Sequence, residues 1–124
     1  MDTHMPPSRT ILIVEDEALI ATNLEMLLEE NGYTVVGWAT NVKEAQRAAE
    51  EHRPSTAIVD IQLRGGDDGI ALAAEIRERF GIEIIFVTAQ TDPATIERAK
   101  SVTHLAYINK PYSEQALLDA LRSF

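Results

Sequence analysis

Apolar residues recur along this chain with two alternating periods. Thr10-Ile11-Leu12-Ile13-Val14 is a short, continuously apolar, β-branched run, the pattern of a strand covered on both faces. Ile20, Leu24, Leu27 and Leu28 follow at helical spacing and predict a helix ending at Asn31-Gly32. Residues 33–38 read as a second strand, and Val42, Ala45, Ala48 and Ala49 as a small-residue helix face with Pro54 beyond its end. Residues 56–59 predict a third strand closing at Asp60. A Gly- and Asp-rich loop (64–69) then leads into a helix carrying Ala73, Ile76 and Phe80, which Gly81 stops. Residues 82–87 are the most apolar strand. Asp92-Pro93 supplies an N-cap and a proline at the first helical position. The helix it opens has only Ile96, Ala99 and Val102 to bury, and weak anchoring makes it a candidate mobile element. Residues 105–109 predict strand five, and Ser113 caps a last helix with Leu117, Leu121 and Phe124 on one face.

Five strands alternating with five helices predict an α/β domain, a doubly wound five-stranded parallel sheet with right-handed crossovers and helices on both faces. The expected strand order is the flavodoxin-like 2-1-3-4-5, in which functional groups gather beyond the carboxyl ends of the strands. Composition supports one domain and narrows its chemistry. With 124 residues, 45% of them hydrophobic, the chain can bury one sizeable core. Residues 10–124 carry it. Residues 1–9 contain Pro6 and Pro7, lack the apolar centre of a secretion signal, and read as a disordered lead-in. Lys and Arg number 11 against 20 Asp and Glu, which argues against direct binding to nucleic acid or to an anionic membrane. There are no cysteines, so disulfides, thiolate zinc sites and Cys nucleophiles are excluded. The apolar run 82–87 is far short of the ~20 residues that span a bilayer, and a cytoplasmic location is the default expectation. His4, His52 and His104 match no ligand spacing, and Trp38 reads as packing.

The predicted strand ends collect the chemistry. Strand one ends in Glu15-Asp16, strand three in Asp60, strand four in Thr88, and strand five in Asn109-Lys110-Pro111. Three carboxylates in one cleft repel unless positive charge lies among them. Lys110 supplies one such charge, and a hard divalent cation held by oxygens would supply the rest. Mg2+ suits this because it accepts a few carboxylates, keeps waters and leaves room for a phosphate. A carboxylate beside Mg2+ can attack a phosphoryl group and form an acyl phosphate. Asp60, alone at the end of a central strand, is the expected nucleophile; Glu15 and Asp16 are the expected metal ligands. Lys110 would pair a phosphoryl oxygen, and Thr88 would donate a hydrogen bond to another. Gly65, Gly66 and Gly69 lack the spacing of a phosphate-binding fingerprint and read as turn glycines.

These residues resemble the receiver domain of two-component response regulators, the chemotaxis-regulator-like phosphoacceptor domain. The resemblance rests on Ile13-Val14-Glu15-Asp16-Glu17, Ile58-Val59-Asp60-Ile61-Gln62-Leu63, Phe86-Val87-Thr88-Ala89 and Tyr107-Ile108-Asn109-Lys110-Pro111, in order and each at its strand end. It implies transfer of a phosphoryl group to Asp60 from a histidine kinase or a histidine phosphotransfer protein, with Lys110 and Thr88 assisting. It implies self-catalysed acceptance and loss of the group rather than turnover of an external substrate. By the same likeness Asp16 and Asp60 ligate Mg2+ directly, Glu15 acts through water, and the backbone carbonyl of Gln62 completes the set. Thr88 and Tyr107 resemble the family's switch pair, and Lys110-Pro111 its cis peptide.

Two departures stand out: Arg64 occupies a position where the family commonly has proline, and the loop from Asp60 to Gly69 is one residue longer than in common members. Both bear on which kinase docks. Gln62 and Gln90 flank the expected phosphoryl position and bear on its hydrolysis. One competing reading is an aspartate-nucleophile phosphatase, which carries a second aspartate two residues after the nucleophile; Gln62 stands there and has no proton to exchange. Another is a receiver-like binding module that works without phosphorylation. Flavin binding is disfavoured by the acidic loop after strand one. The expected partners are proteins: the phosphodonor and a downstream target, with the chain a single-domain regulator, monomeric or weakly dimeric, or a fragment of a longer one.

Overall fold

The computed structural model describes residues 9–89, 92–111 and 113–122. The strands are β1 (Thr10–Val14), β2 (Thr34–Ala39), β3 (Thr56–Asp60), β4 (Glu83–Thr88) and β5 (Ala106–Asn109). Between and after them run α1 (Ala18–Glu30), α2 (Val42–His52), α3 (Gly69–Phe80), α4 (Pro93–Lys100) and α5 (Glu114–Arg122). All neighbouring strands pair in parallel, in the order β2-β1-β3-β4-β5, as the sequence pattern predicts.

The continuous apolar runs are continuous because both sheet faces are covered. Successive side chains of a strand point to opposite faces, and the two sets bury in two layers. Leu12, Val14, Ala57, Val59, Ile84 and Phe86 pack with Ala45 and Ala49 of α2, Ile70, Ala73 and Ile76 of α3, and Ala99 of α4. Ile11, Ile13, Ile58, Ile85 and Val87 pack with Leu24, Leu27 and Leu28 of α1 and Leu117, Leu118 and Leu121 of α5. Every residue of β3 is buried, and full burial of side chains such as Ile84 and Phe86 contributes ~1.5–3 kcal/mol each.

Polar residues at the helix starts mark where α2 to α5 begin. The side chains of Asn41, Asp68, Asp92 and Ser113 accept backbone N–H bonds from the first turns of α2, α3, α4 and α5, satisfying donors that a helix start leaves open. Three strands differ from the sequence pattern in their boundaries. β2 starts at Thr34 and β4 at Glu83, each one residue later than expected and ending one residue later, and β5 begins at Ala106. Val102 lies beyond the end of α4 yet is still buried. Residues 1–8, Gln90 and Phe124 lie outside the described residues. Among those described, no helix is long and apolar enough to cross a membrane.

Candidate functional site

β1 and β3 are adjacent and parallel, so their carboxyl ends deliver Glu15-Asp16 and Asp60 to one place. Carboxylate oxygens of Glu15, Asp16 and Asp60 all lie within 4.8 Å of one another. Glu15 is 2% exposed and Asp60 5%, while Asp16 is half-buried. Lys110, just past β5, reaches back across the sheet end, and its Nζ donates to Glu15 Oε1 and to Asp60 Oδ2, each at 2.9 Å. The second oxygens are held by backbone: Glu17 N–H donates to Glu15 Oε2 at 3.1 Å, and Gln62 N–H to Asp60 Oδ1 at 3.0 Å. Each buried carboxylate is therefore bonded at both oxygens.

Burial is the largest influence on Glu15 and, with the Asp60 charge beside it, lifts its carboxyl to about 6 despite the opposing pull of Lys110. For Lys110, burial works to lower the pKa, but the bonds to Glu15 and Asp60 outweigh it and hold the ammonium above its ordinary value. One ammonium does not balance three carboxylates. The donor set is oxygen only, clustered, and opens on a cleft of about 620 Å3 that Asp16, Asp60, Gln62 and Arg98 help to line. Such donors fit a hard divalent cation that keeps waters, and fit Mg2+ in particular. Glu15, Asp16 and Asp60 could hold it, with the main chain of Gln62 at the rim.

The other strand-end residues predicted from sequence fall around this cluster. Thr88 closes β4, is fully buried, and its carbonyl accepts the Lys110 N–H at 2.7 Å. Tyr107 lies in β5 opposite Phe86 in register, their ring centroids 6.4 Å apart. Burial first, then the charge of Asp92, raises its phenol pKa. With Ile96, Ala99, Lys100 and His104 it lines an apolar cavity of about 320 Å3 between α4 and β5. The Lys110-Pro111 peptide is cis.

Three features escape the sequence pattern. Gly69 is more than a turn glycine: a Cβ there would sit 2.2 Å from the Asp60 carbonyl oxygen and 2.9 Å from Ile61 Cα. Only glycine lets α3 start against the backbone of Asp60, where Gly69 N–H donates to the Ile61 carbonyl at 3.0 Å. Trp38 is 45% exposed, and its Nε1–H donates to the Glu15 carbonyl at 2.6 Å. The loop after β3, with a short 3-10 turn over Arg64–Gly66, is tied on both sides: Asp67 Oδ2 accepts the Val42 N–H of α2 at 2.9 Å, and Asp68 pairs with Arg98 of α4. An Asp-rich loop was visible in the sequence, but its partners 25 and 30 residues away were not.

The profile of the Response regulator receiver domain family matches residues 11–122. The transcriptional regulatory protein PdtaR of Mycobacterium tuberculosis is 39% identical over 120 residues, which cover 97% of this chain and 58% of that protein. The phyllosphere-induced regulator PhyR of Methylorubrum extorquens is 42% identical over 80 residues, 64% of this chain and 30% of that protein. The chain thus spans little more than half the length of these curated relatives or less. Among solved structures, the signal receiver domain of a modulated diguanylate cyclase from Desulfovibrio desulfuricans G20 superposes with a TM-score of 0.86 at 39% identity, covering 92% of this chain and 90% of that one. The PhyR receiver domain of Erythrobacter litoralis gives a TM-score of 0.81 at 31% identity over 92% of this chain and 87% of that one. Fold, acidic strand ends and sequence agree along nearly the whole chain: it belongs to the response regulator receiver domain family of two-component signalling.

Proposed function

We propose that this chain is a phosphoacceptor switch that takes a phosphoryl group from a histidine kinase or a histidine phosphotransfer protein onto Asp60. The observation that carries the proposal is the buried Asp60 carboxylate, paired at Oδ2 with Lys110 and clustered with Glu15 and Asp16 at the mouth of an open cleft. In the transfer, an Asp60 carboxylate oxygen bonds to phosphorus as the phosphorus–nitrogen bond of the donor imidazole breaks. The imidazole keeps that electron pair and later takes a proton from water.

Each neighbour has a part the geometry supports. Lys110 neutralises Asp60 before transfer and, as a compact ammonium, pairs a phosphoryl oxygen afterwards. Gln62 N–H orients the carboxylate through Oδ1. Asp16 and Asp60, with Glu15 behind them and the Gln62 carbonyl at the rim, would hold Mg2+; when bound, it supplies positive charge that screens the approaching phosphoryl oxygens. Thr88 and Tyr107 form the switch pair, with the hydroxyl drawn to the phosphoryl group and the ring turning toward the space it leaves. The read-out surface is then α4, β5 and α5, already sampled in its second arrangement before modification. Inverting a 1:99 population requires a bias of roughly 5.5 kcal/mol, within reach of several charge-assisted bonds.

Intact mass after incubation with acetyl phosphate tests the proposal. One phosphoryl group should be gained with Mg2+, little without it, and none by Asp60→Asn. Labelling retained in Asp60→Asn would show that the acceptor lies elsewhere, and no labelling of the wild-type chain would favour a module that works without phosphorylation.

A further inference from the structure

The segment carrying Glu15 and Asp16 leaves the sheet at Val14, yet β2 keeps hold of it for one residue more. Glu15 N–H donates to the Ala39 carbonyl at 2.9 Å, and Trp38 Nε1–H donates to the Glu15 carbonyl at 2.6 Å. Trp38 itself stands opposite Ile13 in the β1–β2 register. Its indole therefore reaches forward past Val14 to a carbonyl two residues beyond its own partner, about 6–7 Å along a strand. Trp38 is 45% exposed, so packing alone does not account for a tryptophan on this edge strand.

The bond falls at a sensitive place. The Glu15 carbonyl belongs to the peptide joining Glu15 to Asp16, and the next peptide is held by its own N–H, that of Glu17, donating to Glu15 Oε2. Asp16 thus sits between two peptide planes, each oriented by a named hydrogen bond. Its carboxylate points from that frame into the cluster with Glu15 and Asp60. We propose that Trp38 is a positioning residue for the acidic site: its indole N–H sets the plane of the Glu15–Asp16 peptide, and thereby the aim of the Asp16 carboxylate toward a cation shared with Asp60. The inference rests on the Mg2+ reading given above and adds to it a residue outside the ligand set. Groups that orient a metal ligand without touching the metal commonly matter ~10–100-fold to affinity.

The chain has one tryptophan, so an analogue incorporated biosynthetically changes nothing else. Replacing Trp38 by benzothienylalanine keeps the bicyclic shape and exchanges the N–H for sulfur, whereas 5-fluorotryptophan keeps the N–H. Calorimetric titration of the full chain with Mg2+ should give a dissociation constant about tenfold weaker for the sulfur analogue and near wild type for the fluorinated one. The indole N–H resonance, unique in the spectrum, should shift as Mg2+ is added to wild type. Trp38→Phe supplies a second variant lacking the N–H, with the amide spectrum as the check that the fold is intact. A sulfur analogue or Trp38→Phe chain that is folded and binds Mg2+ within about threefold of wild type overturns the positioning role. No Mg2+ binding by the wild-type chain overturns the metal reading, and this inference with it.

Discussion

Lys110 and Gly69 act on different parts of Asp60, one on its carboxylate through charge and one on its backbone through the absence of a side chain. Lys110 is the counter-charge that Glu15 and Asp60 share. Truncating one partner of a buried ion pair leaves charge uncompensated and costs ~3–5 kcal/mol. Lys110→Ala should therefore lower the melting temperature markedly in EDTA and less in saturating Mg2+, because the cation takes over the neutralisation. It should still bind Mg2+ while losing the response of α4 to phosphorylation, followed by amide NMR; an unchanged α4 response would remove Lys110 from the coupling. Gly69→Ala has a different signature. The added methyl must push against the Asp60 carbonyl and Ile61 Cα, backbone that cannot swing aside as a flexible side chain would. Overpacking of this kind costs ~1–3 kcal/mol, and here it would displace Asp60, the proposed acceptor. We expect slower labelling by acetyl phosphate at a temperature where the variant remains fully folded, with wild-type labelling as the contrary result.

At the scale of elements, the loop after β3 and helix α4 are tied through one side chain, Asp68. Asp68 caps α3 through the N–H groups of Ile70 and Ala71 and also pairs with Arg98 of α4. Its carboxyl is held below the ordinary value: burial works upward, but the Arg98 bond and the cap bonds outweigh it. Helix α4 buries Ala99 as its sole fully covered residue, so this tie is a large part of what fixes it to the site. On the proposed function, a phosphoryl group on Asp60 would bring about −1.5 to −2 of charge into the cleft that Arg98 lines and would give the guanidinium a competing partner. Arg98→Ala should speed amide exchange across α4, leave α3 protected, and change global stability by under ~1 kcal/mol, as for an exposed pair. It should also shrink the difference in α4 exchange between the free and phosphorylated chains. Equal exchange in variant and wild type would show that the tie does not hold the helix.

What the sequence made legible here follows from range. The alternation of strands and helices follows from continuous apolar runs, and the convergence of Glu15, Asp16, Asp60 and Lys110 from the residues that end them, both short-range signals; the strand order follows from the usual arrangement of doubly wound sheets. The N-caps at Asp92 and Ser113 are equally local. β2 runs one residue further than the pattern, to Ala39, because its pairing with β1 slips between Ile11 and Leu12, an irregularity that periodicity does not carry. The Trp38 bond to Glu15 and the Asp68 bond to Arg98 join residues 23 and 30 positions apart through one polar atom each. The Gly69 contact was hidden for a related reason: a glycine opening a helix looks the same whether it faces solvent or another backbone.

For the molecule as a whole, the acidic site is where a proton and a cation would compete, and pH separates the two. Glu15 holds its proton up to about 6 in the folded protein, against an ordinary carboxyl in the unfolded chain. The folded state therefore binds the proton more tightly, and this group makes the protein more stable as pH falls from 7 through 6 toward 4.5, by at most about 2 kcal/mol. Asp68, with its lowered value, runs the other way, its contribution intact above pH 4 and lost only as pH falls below that. A cation held by Glu15, Asp16 and Asp60 competes with the Glu15 proton and binds the folded state alone, so its stabilisation grows with its occupancy. The melting-temperature gap between Mg2+ and EDTA should accordingly be wide at pH 7.5 and narrow at pH 5. In EDTA, wild type should be more stable at pH 5 than at pH 7.5, while Glu15→Gln, which carries no proton to lose, should flatten that part of the curve. A gap equal at both pH values would mean that the Glu15 carboxylate does not share the cation, and that the burden of holding it falls on Asp16 and Asp60.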